Sequence, residues 1–138
     1  MASETITRND LKAILDEVLP NTSVDYIVEQ GTSGIWTYRK WASGIAECWG
    51  HTPNDSRSIT SSYGNQYYAD LNASLPSGLF TSVSSVVGCR SNVSGGGAAL
   101  ISISIAGVNT SSISAYIYAS VSVTTNAGFS FEVKGRWK

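Results

Sequence analysis

Along most of this chain apolar and polar residues alternate with a period of two, and only the first twenty positions depart from it. There, Leu11, Ile14, Leu15 and Val18 recur at helical spacing on one face, and Pro20 ends the run. Thr7 is placed to cap this helix, and Asp10 stands where an acid favours a helix N-terminus. Ile6 ahead of the cap and Leu11 inside it match a hydrophobic staple. A helix of about a dozen residues is marginal alone in water, so it has to pack, either on its own domain or on other copies of the chain. Four apolar positions do not make a coiled coil.

From Val24 onward the pattern predicts strands. Val24, Tyr26 and Val28 alternate with Asp25, Ile27 and Glu29, and Gly31-Thr32-Ser33-Gly34 reads as a turn. Strands are expected over Ile35–Trp41 and, after the turn Ala42-Ser43-Gly44, over Ile45–Gly50. Tyr67, Ala69, Leu71, Ala73 and Leu75 form one face of another strand, and Val83, Ser85, Val87 and Cys89 a face of the next. The alternation is cleanest late in the chain. Ile101, Ile103 and Ile105 are separated by serines; Ile113, Ala115, Ile117, Ala119, Val121 and Val123 share a face opposite Ser114, Tyr116, Tyr118, Ser120 and Ser122. A turn at Thr125-Asn126-Ala127-Gly128 is expected before Phe129, Phe131 and Val133. About seven or eight strands with no later helical pattern predict an all-β fold, an antiparallel β-sandwich or barrel-like knob. The division is a helical segment, 1–20, ahead of a β-rich head domain, 21–138.

Composition sharpens this picture. Of 138 residues only 14% are charged, and nine Lys and Arg against ten Asp and Glu leave a net charge of −1. A nucleic-acid partner calls for a basic excess that is missing, and no apolar run is long enough to insert in a membrane. The N-terminus lacks a signal-peptide pattern, and two cysteines are too few for a disulfide scaffold. Synthesis in a reducing cytoplasm is the expectation. Ser and Thr replace charge, so the sheet faces are polar but uncharged. Charged edges normally discourage edge-to-edge association; closure into a symmetric homo-oligomer would remove that hazard.

The string Asp25–Gly50, with E-Q-G at Glu29–Gly31, W-T-Y-R-K-W at Trp36–Trp41 and S-G-I-A-E-C-W-G at Ser43–Gly50, resembles a segment of tail-fibre and minor structural proteins of phages and prophages of Gram-positive gut bacteria. There it opens a β-rich C-terminal head domain, and the ending Val133–Lys138 is similar to the way such domains finish. The resemblance implies a virion structural protein, homotrimeric and exposed on the particle, with the N-terminal helix attaching to other virion proteins. Tail fibres carry long shafts ahead of the head. Here a short helical piece stands in that place, so a separate tip protein, a head-attached fibre or a stand-alone module is expected.

Candidate chemistry is sparse. Trp36, Tyr38, Trp41 and Trp49 lie close together, and such rings either pack a core or subunit interface or stack on sugars. Arg39 and Lys40 are expected to pair with Glu29 and Glu47 across strands. A glycosidase needs two acids flanking a bond; Glu29, Glu47, Asp70 and Glu132 are the strand-borne candidates, and no spacing unites two of them. His51 is the single histidine and reads as an exposed loop residue; no metal-ligand spacing exists. Cys48 and Cys89 read as small buried hydrophobes, and Ser94-Gly95-Gly96-Gly97 as a flexible connection rather than a phosphate loop.

The stretch from His51 to Gln66 has the Tyr, Ser, Gly, Asn and Arg chemistry of recognition loops. It is either a polar connection with one more short strand near Ser58–Tyr63 or a ligand-binding loop. In the latter case Asp55, Arg57, Tyr63, Asn65 and Tyr67 are the binding residues. The expected function is a receptor-binding knob for a host-surface glycan, without enzymatic activity or cofactor. A capsid decoration without receptor binding is the alternative, and a cell-wall glycan hydrolase the third reading.

Overall fold

The computed structural model describes residues 7–18, 24–92 and 100–138. Helix α1 (Arg8–Val18) opens with a reciprocal capping box: the Asp10 amide donates to Thr7 Oγ1 at 3.1 Å, and the Thr7 amide to Asp10 Oδ2 at 3.0 Å. Ten strands follow among the described residues: β1 (Ile27–Ser33), β2 (Trp36–Trp41), β3 (Ile45–His51), β4 (Asp55–Ile59), β5 (Ser61–Tyr63), β6 (Gln66–Ser74), β7 (Ser82–Asn92), β8 (Ile101–Val108), β9 (Ser112–Ala119) and β10 (Val123–Arg136). Ile6, Pro20 and the Ser94–Gly97 connection lie outside the described residues.

The strands build two open antiparallel sheets. One has the order β1-β2-β3-β10-β4, with β7 also on β10; the other runs β5-β6-β9-β8. Strand β10 is the organiser: residues 130–136 pair at once with β3 and β7, so these flank it, and residues 123–127 pair with β4. Only Thr60 separates β4 from β5, and there the chain leaves one sheet for the other, a corner of the kind sandwiches use.

The core lies between the sheets. From the first come Trp36, Ala46, Cys48, Ile59, Ala127, Phe129, Phe131 and Val133; from the second, Leu71, Ala73, Ile113, Ala115, Ile117 and Ala119. Taking each large member out of water contributes roughly 1.5–3 kcal/mol. The period-two pattern is therefore realised face by face: Ile113, Ile117 and their neighbours point inward, while Ser114 and Tyr116 point out.

Several local expectations need correction. Gly31–Ser33 belong to β1, and the turn is Gly34-Ile35, where Gly34 takes φ 59° as the first residue of a two-residue hairpin loop. The long alternating face stops at Ala119, because the chain crosses between sheets there, and Val121 is left half exposed. Thr125–Gly128 make no turn; they lie within β10, where a register irregularity at Gly128/Phe129 takes up the bend. The polar stretch after His51 holds β4 and β5, which raises the strand number above the expected one. His51 is exposed, but it ends β3 opposite Ser130 instead of standing in a loop. Cys48 is buried as expected, whereas Cys89 is exposed on β7.

Candidate functional site

Two of the four aromatic rings named from sequence, Trp36 and Tyr38, serve packing. Trp36 is buried, donates Nε1–H to the Ser74 carbonyl at 2.6 Å and packs against Phe131. Tyr38 packs on the core and donates its hydroxyl to Glu29 at 3.3 Å. The Trp41 carbonyl accepts Nε1–H of Trp137 at 2.8 Å, which ties the C-terminal strand to the β2–β3 turn. Trp49 differs: it is half-buried in a shallow groove with Val87, Cys89 and Glu132, and the Arg39 guanidinium lies 4.9 Å from its ring centre.

Two ion pairs cross the β1-β2-β3 part of this sheet. Lys40 meets Glu29 at 2.7 Å and Arg39 meets Glu47 at 3.9 Å, both between directly opposed residues of neighbouring strands, as expected. The Lys40 hydrogen bond, then its charge against the opposing cost of desolvation, holds the Glu29 carboxyl below its ordinary value. Asp70 lies in the other sheet. Among the described residues no three His, Cys, Asp or Glu side chains gather as a metal site would require. Burial pushes the Cys48 thiol up to about 12.

The five binding residues named from sequence are split between the sheets. Asp55 and Arg57 lie on β4, and Arg57 donates Nε–H to the Ala127 carbonyl at 3.4 Å. Tyr63 and Asn65 are exposed at the β5–β6 turn, where Gly64 has φ 59°. Tyr67 sits on the inward side of β6 and packs against the core.

What gathers instead is a set of tyrosines on the outer face of β5-β6-β9. The Tyr63 ring stands edge-on to Tyr68 with centres 6.2 Å apart, Tyr68 edge-on to Tyr116 at 5.8 Å, and Tyr116 lies tilted to Tyr118 at 6.4 Å. Edge-to-face rings at such separations attract one another and hold a defined arrangement. The four line a concavity of ≈ 240 Å³. Register places them: Tyr68 opposes Tyr118, and Asp70 opposes Tyr116, with Ser102 and Ser104 completing the two rows on β8. Sequence reasoning named Tyr63 and missed the other three as a site. The signal was present in parity, since Tyr68, Tyr116 and Tyr118 all fall on the non-core side of strands whose partners are apolar.

No protein-family model matches the chain, and no curated protein matches it. Solved structures do share its fold. The N-truncated R1-type pyocin tail fibre matches with a TM-score of 0.63 at 11% identity, over 98% of this chain and 99% of that one. A C-terminal fragment of the R1 pyocin fibre of P. aeruginosa matches with a TM-score of 0.63 at 12% identity over 89% of this chain. The N-truncated R2-type pyocin tail fibre matches with a TM-score of 0.54 at 12% identity over 99% of this chain. The chain spans nearly the whole of the first, 31% of the second and 53% of the third. The likeness is one of fold.

Proposed function

We propose that this protein is a fibre component of a phage or phage-tail-like particle, and that its β-sandwich is a head that binds a glycan on the host cell surface. The observation that carries the reading is the end-to-end fold likeness to a pyocin tail fibre, over 98% of this chain and 99% of the other. The surface chemistry supports it. Few charges and many hydroxyls suit hydrogen bonding to sugars, and the exposed tyrosines offer flat apolar faces. In this reading the chain assembles as a homotrimer and each site binds weakly, with several copies on one particle making attachment effective. Residues 1–20 provide the contact to copies of the chain or to other particle proteins, and 21–138 form the head. Tyr63, Asn65, Asp55 and Arg57 are the ligand-facing residues named from sequence, and Tyr67 acts by seating β6 on the core. The protein works by binding rather than catalysis.

Gold-labelled antibody on purified particles tests the proposal. Label at the tail tip is the expected result. Label on the particle head would make the chain a capsid decoration, and absence of label would overturn both virion readings.

A further inference from the structure

The tyrosine face has an electrostatic character that narrows its ligand, and the inference drawn from it rests on the receptor-binding reading above. Strands β5, β6, β8 and β9 contain no Lys or Arg, and Asp70 is their single acid. Asp70 is exposed and lies directly opposite Tyr116 in the ladder. Around it the outward positions are Ser61, Gln66, Asn72, Ser102, Ser104 and Ser114. Aromatic faces attract cations through their quadrupole, and a carboxylate does so through its charge. Both act in the same direction here, with no cation on these strands to oppose them. An acidic polymer sets stacking against repulsion on this face; an uncharged one gains stacking; an amino-bearing one gains stacking and an ion pair.

We infer that the outer face of the β5-β6-β9-β8 sheet is a binding platform for an amino-bearing saccharide, with Tyr68, Tyr116 and Tyr118 as the stacking surface and Asp70 as the partner of the amino group. Tyr63, Tyr68 and Tyr116 follow one another across β5, β6 and β9 at 6.2 and 5.8 Å, so a saccharide lying across the strands passes all three, and Tyr118 extends the aromatic surface along β9. Hydroxyl and amide side chains on the same face are the donors and acceptors that orient such a ligand.

Binding of the full chain to glucosamine oligomers, N-acetylglucosamine oligomers and galacturonate oligomers, measured by calorimetry or NMR titration, tests this. The expected order is glucosamine over N-acetylglucosamine, with galacturonate not bound. Tyr116→Ser and Tyr68→Ser each weaken glucosamine-oligomer binding about tenfold, and Asp70→Asn removes the preference for the free amine. Tyr116 and Asp70 are exposed, so their variants keep the fold and carry the test if Tyr68→Ser does not. Preference for galacturonate, no binding of any of the three probes, or undiminished binding by these variants overturns the inference. Its failure is separable from that of the receptor-binding reading. If the tail tip is labelled and the protein adheres to host cells with the tyrosine variants equally adherent, the reading stands and the platform falls. If particles carry no label while the variants lose the oligomer, the platform stands and the virion reading falls.

Discussion

Thr52 and Phe129 exchange two hydrogen bonds at the point where β10 passes from its β3 partner to its β4 partner: the Thr52 amide donates to the Phe129 carbonyl at 2.8 Å, and Thr52 Oγ1 accepts the Phe129 amide at 3.0 Å. Both residues are buried, so a side-chain oxygen there does what a backbone carbonyl does elsewhere in the ladder. Thr52→Val keeps the shape and leaves the Phe129 amide without an acceptor. The expected loss is about 1–3 kcal/mol of stability, read as a lower urea midpoint with an unchanged slope, while Thr52→Ser stays near the parent. Equal midpoints for the valine and serine variants would show that the hydroxyl does not hold the junction.

The same junction explains what could be read in advance and what could not. Thr7 with Asp10, and Glu29 with Lys40, are local: their partners are fixed by one helical turn or one hairpin, so spacing alone identifies them. The inward face of β9 was equally legible, because alternation needs no knowledge of the partner strand. Asn126-Ala127-Gly128 carries turn chemistry, yet Gly128 serves close approach. A Cβ there would meet the Thr52 carbonyl oxygen and Ser91 Oγ at 3.1 Å. The tyrosine cluster was hidden for a related reason. It forms only once β6 pairs with β9, a contact between segments distant in sequence.

Gly50 tests a second close approach. A methyl group at this position would collide with the Ile35 carbonyl and press on the Trp36 ring. Since β2 and β3 are paired through Trp36 and Gly50, the strand cannot retreat without loosening the ladder. Gly50→Ala is expected to cost about 1–3 kcal/mol, in the range of overpacked cores, whereas Gly34→Ala has open space around it and strains only the left-handed turn. Thermal melts of the two variants distinguish steric crowding from turn strain. A larger loss at Gly34 would reverse the assignment.

The cysteines differ in accessibility. Cys48 is buried, with its thiol pushed up to about 12, so almost no thiolate exists there at mildly alkaline pH. Cys89 is exposed on β7. Titration with an aromatic disulfide reagent near pH 8 should therefore find one fast thiol in the native protein and a second after denaturation. Cys89→Ser should abolish the fast phase. Two fast native thiols would mean that the sandwich opens around Cys48 on the timescale of the reaction.

Acid should loosen helix α1 through Asp10 and Asp16 and the β region through Asp25 and Glu29, carboxylates held low by their partners. The Asp10 carboxyl is lowered by the Thr7 amide and hydroxyl, Asp16 by Lys12 and Tyr26, Asp25 by Ser43, and Glu29 by Lys40. On unfolding these groups return to ordinary values of 3.8 for Asp and 4.5 for Glu. The unfolded chain then binds protons more readily, so their contribution is complete above those values and is lost as pH falls through the depressed native ones. A Tm that is level from about pH 7 to 5 and falls below about 4.5 is expected. All four groups are solvent-facing, so high salt should flatten the change that comes from the Lys partners. A Tm that rises on acidification would contradict the assignment.

Helix α1 gives the last test, because its attachment to the sandwich is slight. Leu11 and Ile14 are 52% and 47% exposed, and the hydroxyl of Tyr26 reaches Asp16 at 3.0 Å as its one hydrogen bond to the β region among the described residues. Lys12 and Asp16 pair along the helix itself. Little of the sandwich therefore depends on α1, and a chain lacking residues 1–20 should keep its far-ultraviolet strand signal and its tryptophan fluorescence. The apolar positions have more to gain from other copies: each is about half exposed, so burying it on association contributes about half of the roughly 1.5–3 kcal/mol of full burial, and a symmetric assembly repeats the gain at every copy. Sedimentation should then find the full chain as a trimer and the shortened chain, together with the Leu11→Ser/Ile14→Ser double variant, as monomers. A shortened chain that still sediments as a trimer would move the association surface onto the sheets, with the Trp49 and Val87 groove as the first place to mutate.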